Sequence, residues 1–171
     1  MKKNLVLTGM MGVGKSTVGK KLARKLKLKF IDIDQLIEKR ERKGIQEIFE
    51  LKGQDYFRKI EKKVCIEQLS RSSSVIALGG GAFLNRSIRK EIKNTSVSFW
   101  LDLKLEILIK RLKKVKKRPL LSQDNIEQSV NRIYSERKKF YNKSDFKIKC
   151  NTEDTVNLEN KIIKLYESKC N

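Results

Sequence analysis

Short apolar runs alternate with longer amphipathic stretches along this chain. The first run, Asn4–Thr8, reads NLVLT and is followed by Thr17–Leu28, in which apolar or small residues recur at helical spacing. The same succession of strand-like and helix-like patterns continues toward the C-terminus. Since strands that alternate with helices are typical of parallel sheets, the pattern predicts an α/β fold with a mainly parallel sheet.

The pattern also places the individual elements. Strands are predicted at Asn4–Thr8, Phe30–Asp32, Ser74–Leu78, Ser96–Leu101 and Phe146–Cys150. Helices are predicted at Thr17–Leu28, Asp34–Lys43, Ile45–Leu51 (a turn or short helix), Gln54–Ser70, Arg86–Lys93, Leu103–Leu112, Ile126–Phe140 and Val156–Ser168. The stretch Lys113–Asn125 has no clean apolar period and contains the only proline, Pro119, so we expect a mobile surface segment there.

The composition is that of one globular domain. A chain of 171 residues is long enough for a single domain, residues 1–171. No apolar run approaches the roughly 18 residues that indicate a membrane span, and the N-terminus leads directly into the first strand rather than forming a signal peptide. The three cysteines are odd in number and widely spaced, at Cys65, Cys150 and Cys170, which favours reduced thiols and a cytoplasmic protein.

The chain is strongly basic, with 41 lysines and arginines against 20 aspartates and glutamates, and its formal net charge is +21. Such a balance is found in nucleic-acid-binding proteins, but here the lysines are spread over the whole sequence and form no stripe with interleaved aromatics. A general lysine bias that helps to attract anionic ligands is favoured instead, and we expect neither a nucleic-acid nor a membrane partner. Histidine is absent, which excludes a histidine base and a histidine-ligated metal.

The most informative motif follows the first strand. Gly9–Thr17 reads GMMGVGKST and matches the phosphate-binding pattern G-x-x-x-x-G-K-[ST]. Glycines let the backbone curl so that its N–H groups point at phosphate oxygens, Lys15 reaches the β- and γ-phosphates, and the Ser16 hydroxyl ligates Mg²⁺. The helix that follows directs its positive N-terminal end at the phosphates. The motif therefore predicts a site for a nucleoside triphosphate with Mg²⁺.

Two carboxylates stand just past the second predicted strand. Asp32 and Asp34 are two residues apart, so on an extended segment they would share a face and point into the crevice at the carboxyl ends of the strands. There, one could hold Mg²⁺ through water and the other could bind and activate an acceptor hydroxyl. The alternative is a pair of solvated loop acids, which the position in a phosphate-loop fold disfavours.

Other motifs are weaker when each is taken alone. Arg58 and Glu61 have i, i+3 spacing on a helix, where a glutamate can hold an arginine as a rigid fork for a carboxylate, although an ordinary surface ion pair has the same spacing. Gly79–Gly81 end the third strand and expose bare amides to a closely approaching ligand. Arg118 in the mobile segment and Arg137 on a later helix are unremarkable by themselves.

Taken together and in order, these motifs resemble the shikimate kinases, and the resemblance covers essentially the whole chain. They are GMMGVGKST at Gly9–Thr17, DID at Asp32–Asp34, FRKIE at Phe57–Glu61, GGGA at Gly79–Ala82, RPLL at Arg118–Leu121 and ERKKFY at Glu136–Tyr141. The resemblance implies a three-layer α/β/α P-loop kinase fold with a five-stranded parallel sheet in the order 2-3-1-4-5. It also implies a substrate-binding segment over residues 33–61 and a mobile lid over residues 112–125.

The resemblance further implies an activity and an acceptor site. The activity is ATP-dependent phosphorylation of shikimate at its 3-hydroxyl, on the way to chorismate and the aromatic amino acids, by a monomer. Asp34 is similar to the residue that grips the shikimate hydroxyls and assists deprotonation of the attacking one. Two arginines for the carboxylate, two glycine amides and two aromatic rings complete the implied site: Arg58, Arg137, Gly80, Gly81, Phe49 and Phe57.

On the ATP side, the resemblance implies a site that runs from the phosphate loop to the adenine pocket. Its residues are Gly12, Val13, Gly14, Lys15, Ser16, Thr17, Arg111, Arg118 and Thr152. Ser16 would ligate Mg²⁺ directly and Asp32 through water. Arg118 is similar to a lid arginine that swings over the transferring phosphate, so that Lys15, Asp34 and Arg118 form the expected catalytic set.

Two alternatives remain open at this stage. Another small-molecule P-loop kinase, such as a gluconate or nucleoside monophosphate kinase, would use the same loop with a different acceptor pocket. The pair Arg58 and Arg137 together with Asp34 argues against a nucleobase and less strongly against gluconate. A basic nucleic-acid-associated ATPase would require basic residues clustered on one surface.

Overall fold

The structure, a computed structural model, describes residues 3–71, 73–114, 125–150 and 155–170. Within these ranges, five β-strands alternate with seven α-helices and one turn of 3₁₀-helix. The strands are β1 (Asn4–Thr8), β2 (Lys29–Asp32), β3 (Ser74–Ala77), β4 (Ser96–Asp102) and β5 (Phe146–Lys149). The helices are α1 (Lys15–Leu26), α2 (Ile33–Glu41), α3 (Ile45–Leu69), α4 (Arg86–Thr95), α5 (Leu105–Lys113), α6 (Ile126–Tyr141) and α7 (Thr155–Cys170), and the 3₁₀ turn is Ala82–Leu84.

The strands of the described residues form one parallel sheet in the order β2-β3-β1-β4-β5. β1 occupies the centre, where Leu7 is aligned with Ala77 of β3 on one side and with Phe99 of β4 on the other. Helices cover both faces. The predicted α/β class, the parallel sheet and the strand order are confirmed. Because the carboxyl ends of parallel strands meet at one edge, the loops after β1, β2 and β3 open on the same side of the sheet.

The core is centred on the middle strands, which are buried along almost their whole length because helices cover the sheet on both faces. Leu5, Val6 and Leu7 of β1 and Phe99 and Trp100 of β4 are all 0% exposed. Burying such a side chain contributes about 1.5–3 kcal/mol. The middle of the sheet is therefore a rigid base for the loops at its carboxyl edge.

A buried asparagine joins the end of a helix to the sheet. Asn4 donates through Nδ2 to the carbonyls of Leu69 and Arg71, at 2.9 and 2.8 Å, and its Oδ1 accepts from the amide of Ser74 at 3.0 Å. Buried backbone groups at chain turns need such partners. The contact fixes the C-terminal end of α3 against the start of β3, and the hydrophobic pattern does not predict it.

The ends of α1 differ from the sequence prediction. The helix begins at Lys15 rather than Thr17, because Gly14, with φ 99°, serves as its N-cap. It ends at Leu26 rather than Leu28, where the next residue takes a left-handed conformation and donates its amide back to the last turn. The phosphate-loop lysine and the hydroxyl residues that follow it therefore belong to the first turn of the helix.

The predicted helices Ile45–Leu51 and Gln54–Ser70 form one element, α3, with a kink in the middle. Gly53 has φ 78° and ψ 171°, a conformation that interrupts the helix and that glycine adopts without strain. The predicted interruption is confirmed, because two helical stretches meet at this non-helical glycine.

The segment predicted to be mobile, Lys113–Asn125, is bounded by regular helix ends. Lys113 is the last residue of α5, and Asn125 caps α6 by accepting from the amide of Gln128 at 3.0 Å. The prediction for residues 115–124 lies outside the described residues.

The helices have one buried and one exposed face. Among the described residues, none of them combines the length and the apolar character that a bilayer crossing requires.

Candidate active site

The loop between β1 and α1 has the backbone of a phosphate cradle. Gly9, Gly12 and Gly14 all have positive φ, at 134°, 80° and 99°, which residues with a side chain rarely adopt. No side chain caps the first turn of α1. The ammonium group of Lys15 donates to the carbonyls of Gly9 and Met10, at 2.9 Å each. The loop thus places a cation and the positive end of a helix at one point, which suits an anion such as a triphosphate.

Asp32 joins the phosphate loop to the start of α2. Its Oδ2 accepts a 2.5 Å hydrogen bond from Ser16 Oγ, while its Oδ1 caps α2 by accepting from the amide of Gln35 at 3.3 Å. Asp34 lies in the first turn of α2 and not on an extended segment. The two carboxylates line one cavity, but the extended geometry predicted for them is wrong, because the chain turns from β2 into helix at Ile33.

The carboxyl group of Asp34 sits in an environment that favours its protonated form. Burial raises the pKa of Asp34. The positive charge of Lys15 opposes that shift, and the negative charge of Asp32 adds to it. A carboxylate with a raised pKa is a stronger proton acceptor near neutral pH than one in water.

Arg58 and Glu61 form an ion pair on α3 in which the carboxylate is buried and the arginine side chain is 28% exposed. Arg58 Nη1 lies 2.5 Å from Glu61 Oε2, and the side chain of Glu61 is 2% exposed. The alternative of an ordinary surface pair is therefore wrong. Burial raises the pKa of Glu61, and the charge of Arg58 opposes that shift. Held by Glu61, the planar guanidinium of Arg58 presents its other donors in a fixed direction.

Arg137 projects from α6 into the same region and is 7% exposed. Its Nη1 and the Oε1 atom of Glu61 are buried, and neither has a hydrogen-bond partner within the described part of the chain. Leaving a buried donor or acceptor atom without a hydrogen bond is unfavourable by about 1–3 kcal/mol. A small ligand with both a carboxylate and hydroxyl groups could accept from Arg137 and donate to Glu61, and would satisfy both atoms.

The segment Gly79–Gly81 passes directly against these charged groups. A Cβ atom on Gly79 would lie 2.5 Å from Asp34 Oδ1 and 2.8 Å from Glu61 Oε1. Real Cβ atoms do not approach other atoms so closely, so any side chain here would displace both carboxylates. Gly79 was not among the predicted site residues, although it belongs to the predicted glycine motif.

The next two glycines contact the two arginines. A Cβ on Gly81 would lie 2.6 Å from the guanidinium nitrogens of Arg58. On Gly80 it would lie 3.3 Å from Arg137 Nη1 and equally close to the amide nitrogen of Met11 in the phosphate loop. Gly80 therefore lies between the phosphate loop and the charged cluster, which consists of Asp34, Arg58, Glu61 and Arg137.

A cavity of about 350 Å³ runs from the phosphate loop to this junction. Of the predicted site residues, its lining includes Gly12, Gly14, Lys15, Ser16, Thr17, Asp32, Asp34 and Gly80. Three more predicted site residues lie next to this lining. Arg137 contacts Gly80, and Arg58 contacts the neighbouring Gly81.

Two aromatic rings stand beside Arg58. The rings of Phe49 and Phe57 are 4.7 Å apart between centroids, and the guanidinium of Arg58 lies 5.3 Å from the Phe57 ring. Phe57 is buried, whereas Phe49 is only partly so. Arg58 therefore has the Phe57 ring beside its guanidinium group, and the role of both rings as a wall for a ligand stays a prediction.

The nucleotide side is only partly described. Arg111 on α5 lies beside the phosphate loop, with Nη1 3.5 Å from the carbonyl oxygen of Val13. The side chain of Val13 is buried, so this residue would act through its backbone. Arg118 and Thr152 lie outside the described residues, and their predicted roles remain predictions.

Two further residues of this region, Tyr141 and Gln35, were not predicted as site residues from the sequence. Tyr141, the last residue of α6, donates its hydroxyl to the Gly80 carbonyl at 2.6 Å. Gln35 lines the cavity next to Asp34. Tyr141 ends the ERKKFY motif, so a signal existed, but an aromatic residue on an apolar helix face is normally only a core residue. Gln35 gives no sequence signal.

Fold and loop together define the class of protein. A parallel sheet in the order β2-β3-β1-β4-β5, a G-x-x-x-x-G-K-[ST] loop after its central strand and a polar cavity beside that loop are the features of a P-loop kinase.

Comparisons with known proteins identify the family. The sequence profile described as "Shikimate kinase" matches residues 11–167. A shikimate kinase from Caldanaerobacter subterraneus subsp. tengcongensis is 38% identical over 164 residues, which cover 96% of each chain. A solved structure of shikimate kinase from Acinetobacter baumannii in complex with shikimate has a TM-score of 0.92 at 34% identity, covering 98% of this chain and 94% of that one. The chain belongs to the shikimate kinase family.

A likeness to another kind of kinase is confined to the fold. A gluconokinase from Sinorhizobium meliloti 1021 has a TM-score of 0.63 over 99% of this chain and 94% of that one, but only 14% of the residues are identical. The alternative of another small-molecule kinase is therefore not favoured.

Proposed function

We propose that this protein is an ATP:shikimate 3-phosphotransferase, which transfers the γ-phosphoryl group of ATP to the 3-hydroxyl of shikimate in chorismate and aromatic amino-acid biosynthesis. The observation that carries the proposal is a pair of buried atoms, Arg137 Nη1 and Glu61 Oε1, that have no hydrogen-bond partner among the described residues and lie in the cluster that also holds Asp34. These atoms match a small acceptor that has both a carboxylate and hydroxyl groups. The relative solved in complex with shikimate supports the same acceptor.

On the donor side, Gly12–Thr17 surrounds the phosphates of ATP, and Lys15 neutralises charge on the β- and γ-phosphoryl groups. The Ser16 hydroxyl and the Asp32 carboxylate are oxygen donors 2.5 Å apart, a donor set that fits a Mg²⁺ ion held mainly by phosphates and water. In this arrangement Ser16 would be a direct ligand and Asp32 would act through water. When bound, Mg²⁺ would help to neutralise the charge that develops on the phosphoryl oxygens.

On the acceptor side, Asp34 binds the shikimate hydroxyls and takes the proton of the attacking 3-hydroxyl. Its raised pKa supports that role, because a base poised closer to neutrality transfers protons more readily. Arg58 and Arg137 bind the carboxylate, and their contacts with Gly81 and Gly80 support a shared position for the ligand. The remaining contacts come from the amides of Gly80 and Gly81 and from the rings of Phe49 and Phe57.

The lid completes the proposed site. Closure of residues 112–125 excludes water and limits hydrolysis of ATP, while Arg118 neutralises the transferring phosphoryl group. Arg111 and Thr152 flank the adenine, and the position of Arg111 beside the phosphate loop supports its share of this role. We further infer a cytoplasmic monomer without a nucleic-acid partner, and the unpaired thiols of Cys65, Cys150 and Cys170 suit a reducing compartment.

A coupled ADP-release assay with shikimate, gluconate and AMP as competing acceptors tests the proposal. Only shikimate should stimulate ADP formation. Its carboxamide analogue should do so less well by about 10²-fold, since it loses the charged contact to two arginines. Equal turnover of the acid and the amide would refute the carboxylate clamp, and preference for gluconate or AMP would refute the proposed acceptor.

A single substitution tests the role of Asp34. Asp34→Asn should lower turnover by about 10²–10⁴-fold, the range of a lost general base, while ATP affinity stays near that of the wild type. Asp55→Asn, a change at an exposed aspartate of α3, serves as the control and should leave both quantities unchanged. Near-normal turnover in Asp34→Asn would mean that another group accepts the proton.

A further inference from the structure

A buried tyrosine lies directly behind the acceptor site. Tyr141 is the last residue of α6 and is 0% exposed. Its hydroxyl donates to the carbonyl of Gly80 at 2.6 Å, and its ring packs against Trp100 with centroids 5.8 Å apart. It is thus a phenol within the apolar core whose one short hydrogen bond is directed at the glycine segment.

The direction of that hydrogen bond matters because glycine peptide units rotate easily. Gly79–Gly81 has no side chain that would resist such a rotation. A trans peptide is planar, so when the carbonyl of Gly80 points at Tyr141, the N–H of Gly81 in the same unit points the opposite way. One hydroxyl group therefore sets the orientation of the Gly80–Gly81 peptide, which lies between the phosphate loop and the charged cluster.

Tyr141 is also coupled to an arginine of the acceptor site. Arg137 precedes it by one helical turn, so both side chains lie on the same face of α6. Arg137 Nη1 is the atom that a Cβ on Gly80 would meet at 3.3 Å. Gly80 is held between the two side chains, with its carbonyl on Tyr141 and its Cα against Arg137. A rotation of this glycine would displace the guanidinium group.

The phenol is a hydrogen-bond donor over the ordinary pH range. Burial raises the pKa of Tyr141. The positive charge of Arg137, a hydrogen bond from Arg137 and the charge of Arg58 oppose that shift, and the charge of Glu61 adds to it. The carbonyl of Gly80 can only accept, so the proton of this hydrogen bond belongs to Tyr141.

We propose that Tyr141 is a positioning residue for the acceptor: its hydroxyl fixes the Gly80–Gly81 peptide, and with it Arg137, in the orientation that binds shikimate. The inference rests on the proposed function, from which it takes the identity of the acceptor. Toward the phosphate loop, the hydroxyl of Tyr141 makes only a long contact, 3.9 Å to Met10 Sδ, and the ammonium group of Lys15 is held by the carbonyls of Gly9 and Met10. A loss of the hydroxyl therefore affects the acceptor side more than the donor side.

The test removes the hydroxyl and keeps the ring. Tyr141→Phe should raise the KM for shikimate about tenfold, the scale of one lost buried hydrogen bond, with the KM for ATP changed less than about twofold. Tyr134→Phe is the matched control, because Tyr134 lies on the same helix and donates to Asp102 Oδ1 at 3.0 Å. This control should leave both KM values unchanged.

A binding measurement accompanies the kinetics. Trp100 is the single tryptophan of the chain and its ring packs against that of Tyr141, so a fluorescence titration with shikimate in the absence of ATP is the measurement. The dissociation constant for shikimate should rise in Tyr141→Phe by the same factor as the KM. A direct binding loss of this kind distinguishes positioning of the acceptor from a general loss of folded enzyme.

The outcomes separate this inference from the proposed function. Wild-type turnover that does not depend on shikimate contradicts the proposed function. Shikimate-dependent turnover with an unchanged shikimate KM in Tyr141→Phe overturns the positioning role alone. An equal rise in both KM values, or the same rise in Tyr134→Phe, overturns it too.

A second variant covers the case in which Tyr141→Phe does not fold. Incorporation of 3,5-difluorotyrosine at position 141 keeps the ring and the hydroxyl but lowers the pKa of the phenol. The shikimate KM of this protein should rise with pH as the hydroxyl loses its proton, while the ATP KM follows the wild type. A shikimate KM that follows the wild-type pH profile overturns the proposal.

Discussion

The donor half and the acceptor half of this site are built in different ways. The donor half is one continuous stretch, Gly9–Thr17, whose conformation is set by glycines with positive φ. The acceptor half is assembled from α2, α3, the segment Gly79–Gly81 and α6, which together extend from Ile33 to Tyr141. The first depends on local backbone geometry, whereas the second exists only when distant elements pack correctly.

The two halves also differ in their electrostatics. The donor half offers a cation and a helix N-terminus to a ligand that brings its own negative charge. The acceptor half encloses carboxyl groups, and burial raises the pKa of both Asp34 and Glu61. Changes in the acceptor half should therefore alter shikimate binding and leave ATP binding intact, and changes in the donor half should do the reverse.

The largest effect is expected where packing in the acceptor half is tightest. Gly79→Ala would place a Cβ 2.5 Å from Asp34 Oδ1, so the carboxylate must move by roughly an ångström, which lowers kcat/KM for shikimate by at least about 10²-fold. ATP affinity should change little. Gly44→Ala, where a Cβ has no neighbour closer than 4.0 Å, is the control and should behave as the wild type. Full activity in Gly79→Ala would show that the glycine segment can shift without loss.

A smaller effect is expected when the ion pair that orients Arg58 is weakened. Glu61→Gln keeps the shape but removes the charge, and we expect the shikimate KM to rise about 30-fold, the scale of a lost charged hydrogen bond. Glu67→Gln on the same helix is a matched control, because Glu67 pairs with Arg40 at 2.7 Å on the surface. Steady-state kinetics should show no change there. If both variants behave alike, burial of the Glu61 pair has no functional consequence.

The donor half is probed by Asp32→Asn. Asparagine still caps α2, so the helix start is retained. If Asp32 holds Mg²⁺ through water, the Mg²⁺ concentration for half-maximal rate should rise about tenfold, as is common when an outer ligand is changed. The shikimate KM should stay constant. A rise in the shikimate KM with an unaltered Mg²⁺ requirement would place Asp32 in the acceptor half instead.

The contrast between the halves explains what the sequence could predict. The phosphate loop and the alternation of strands and helices are local patterns, and both agree with the structure. The break between the predicted helices Ile45–Leu51 and Gln54–Ser70 coincides with the kink at Gly53. The strand order came from family resemblance, since periodicity carries no information about which strands are neighbours.

The acceptor half could not be derived in the same way. The extended geometry assumed for Asp32 and Asp34 is wrong, because a capping interaction that starts a helix is not visible in apolar periodicity. The burial of Glu61 and the hydrogen bond from Tyr141 to Gly80 depend on how α3 and α6 pack on the sheet. These are long-range consequences of the fold.

The smallest predicted effect concerns stability and also bears on the acceptor half. A carboxyl group whose pKa is raised on folding binds its proton more tightly in the folded state. The wild type therefore loses stability as the pH rises from the pKa of Asp34 in the unfolded chain, about 4, through its raised pKa in the folded protein. The Asp34→Asn variant has no carboxyl group at this position and does not show this loss. The variant should melt a few degrees above the wild type near neutral pH, where roughly 1 kcal/mol corresponds to about 2–4 °C, and the difference should shrink toward pH of about 4. Thermal unfolding across this range, with exposed Asp55→Asn as the control, measures it. A variant that melts below the wild type near neutrality would mean that Lys15 and Arg58 more than offset the burial of Asp34, and that the acceptor half is not destabilised by its own carboxylate.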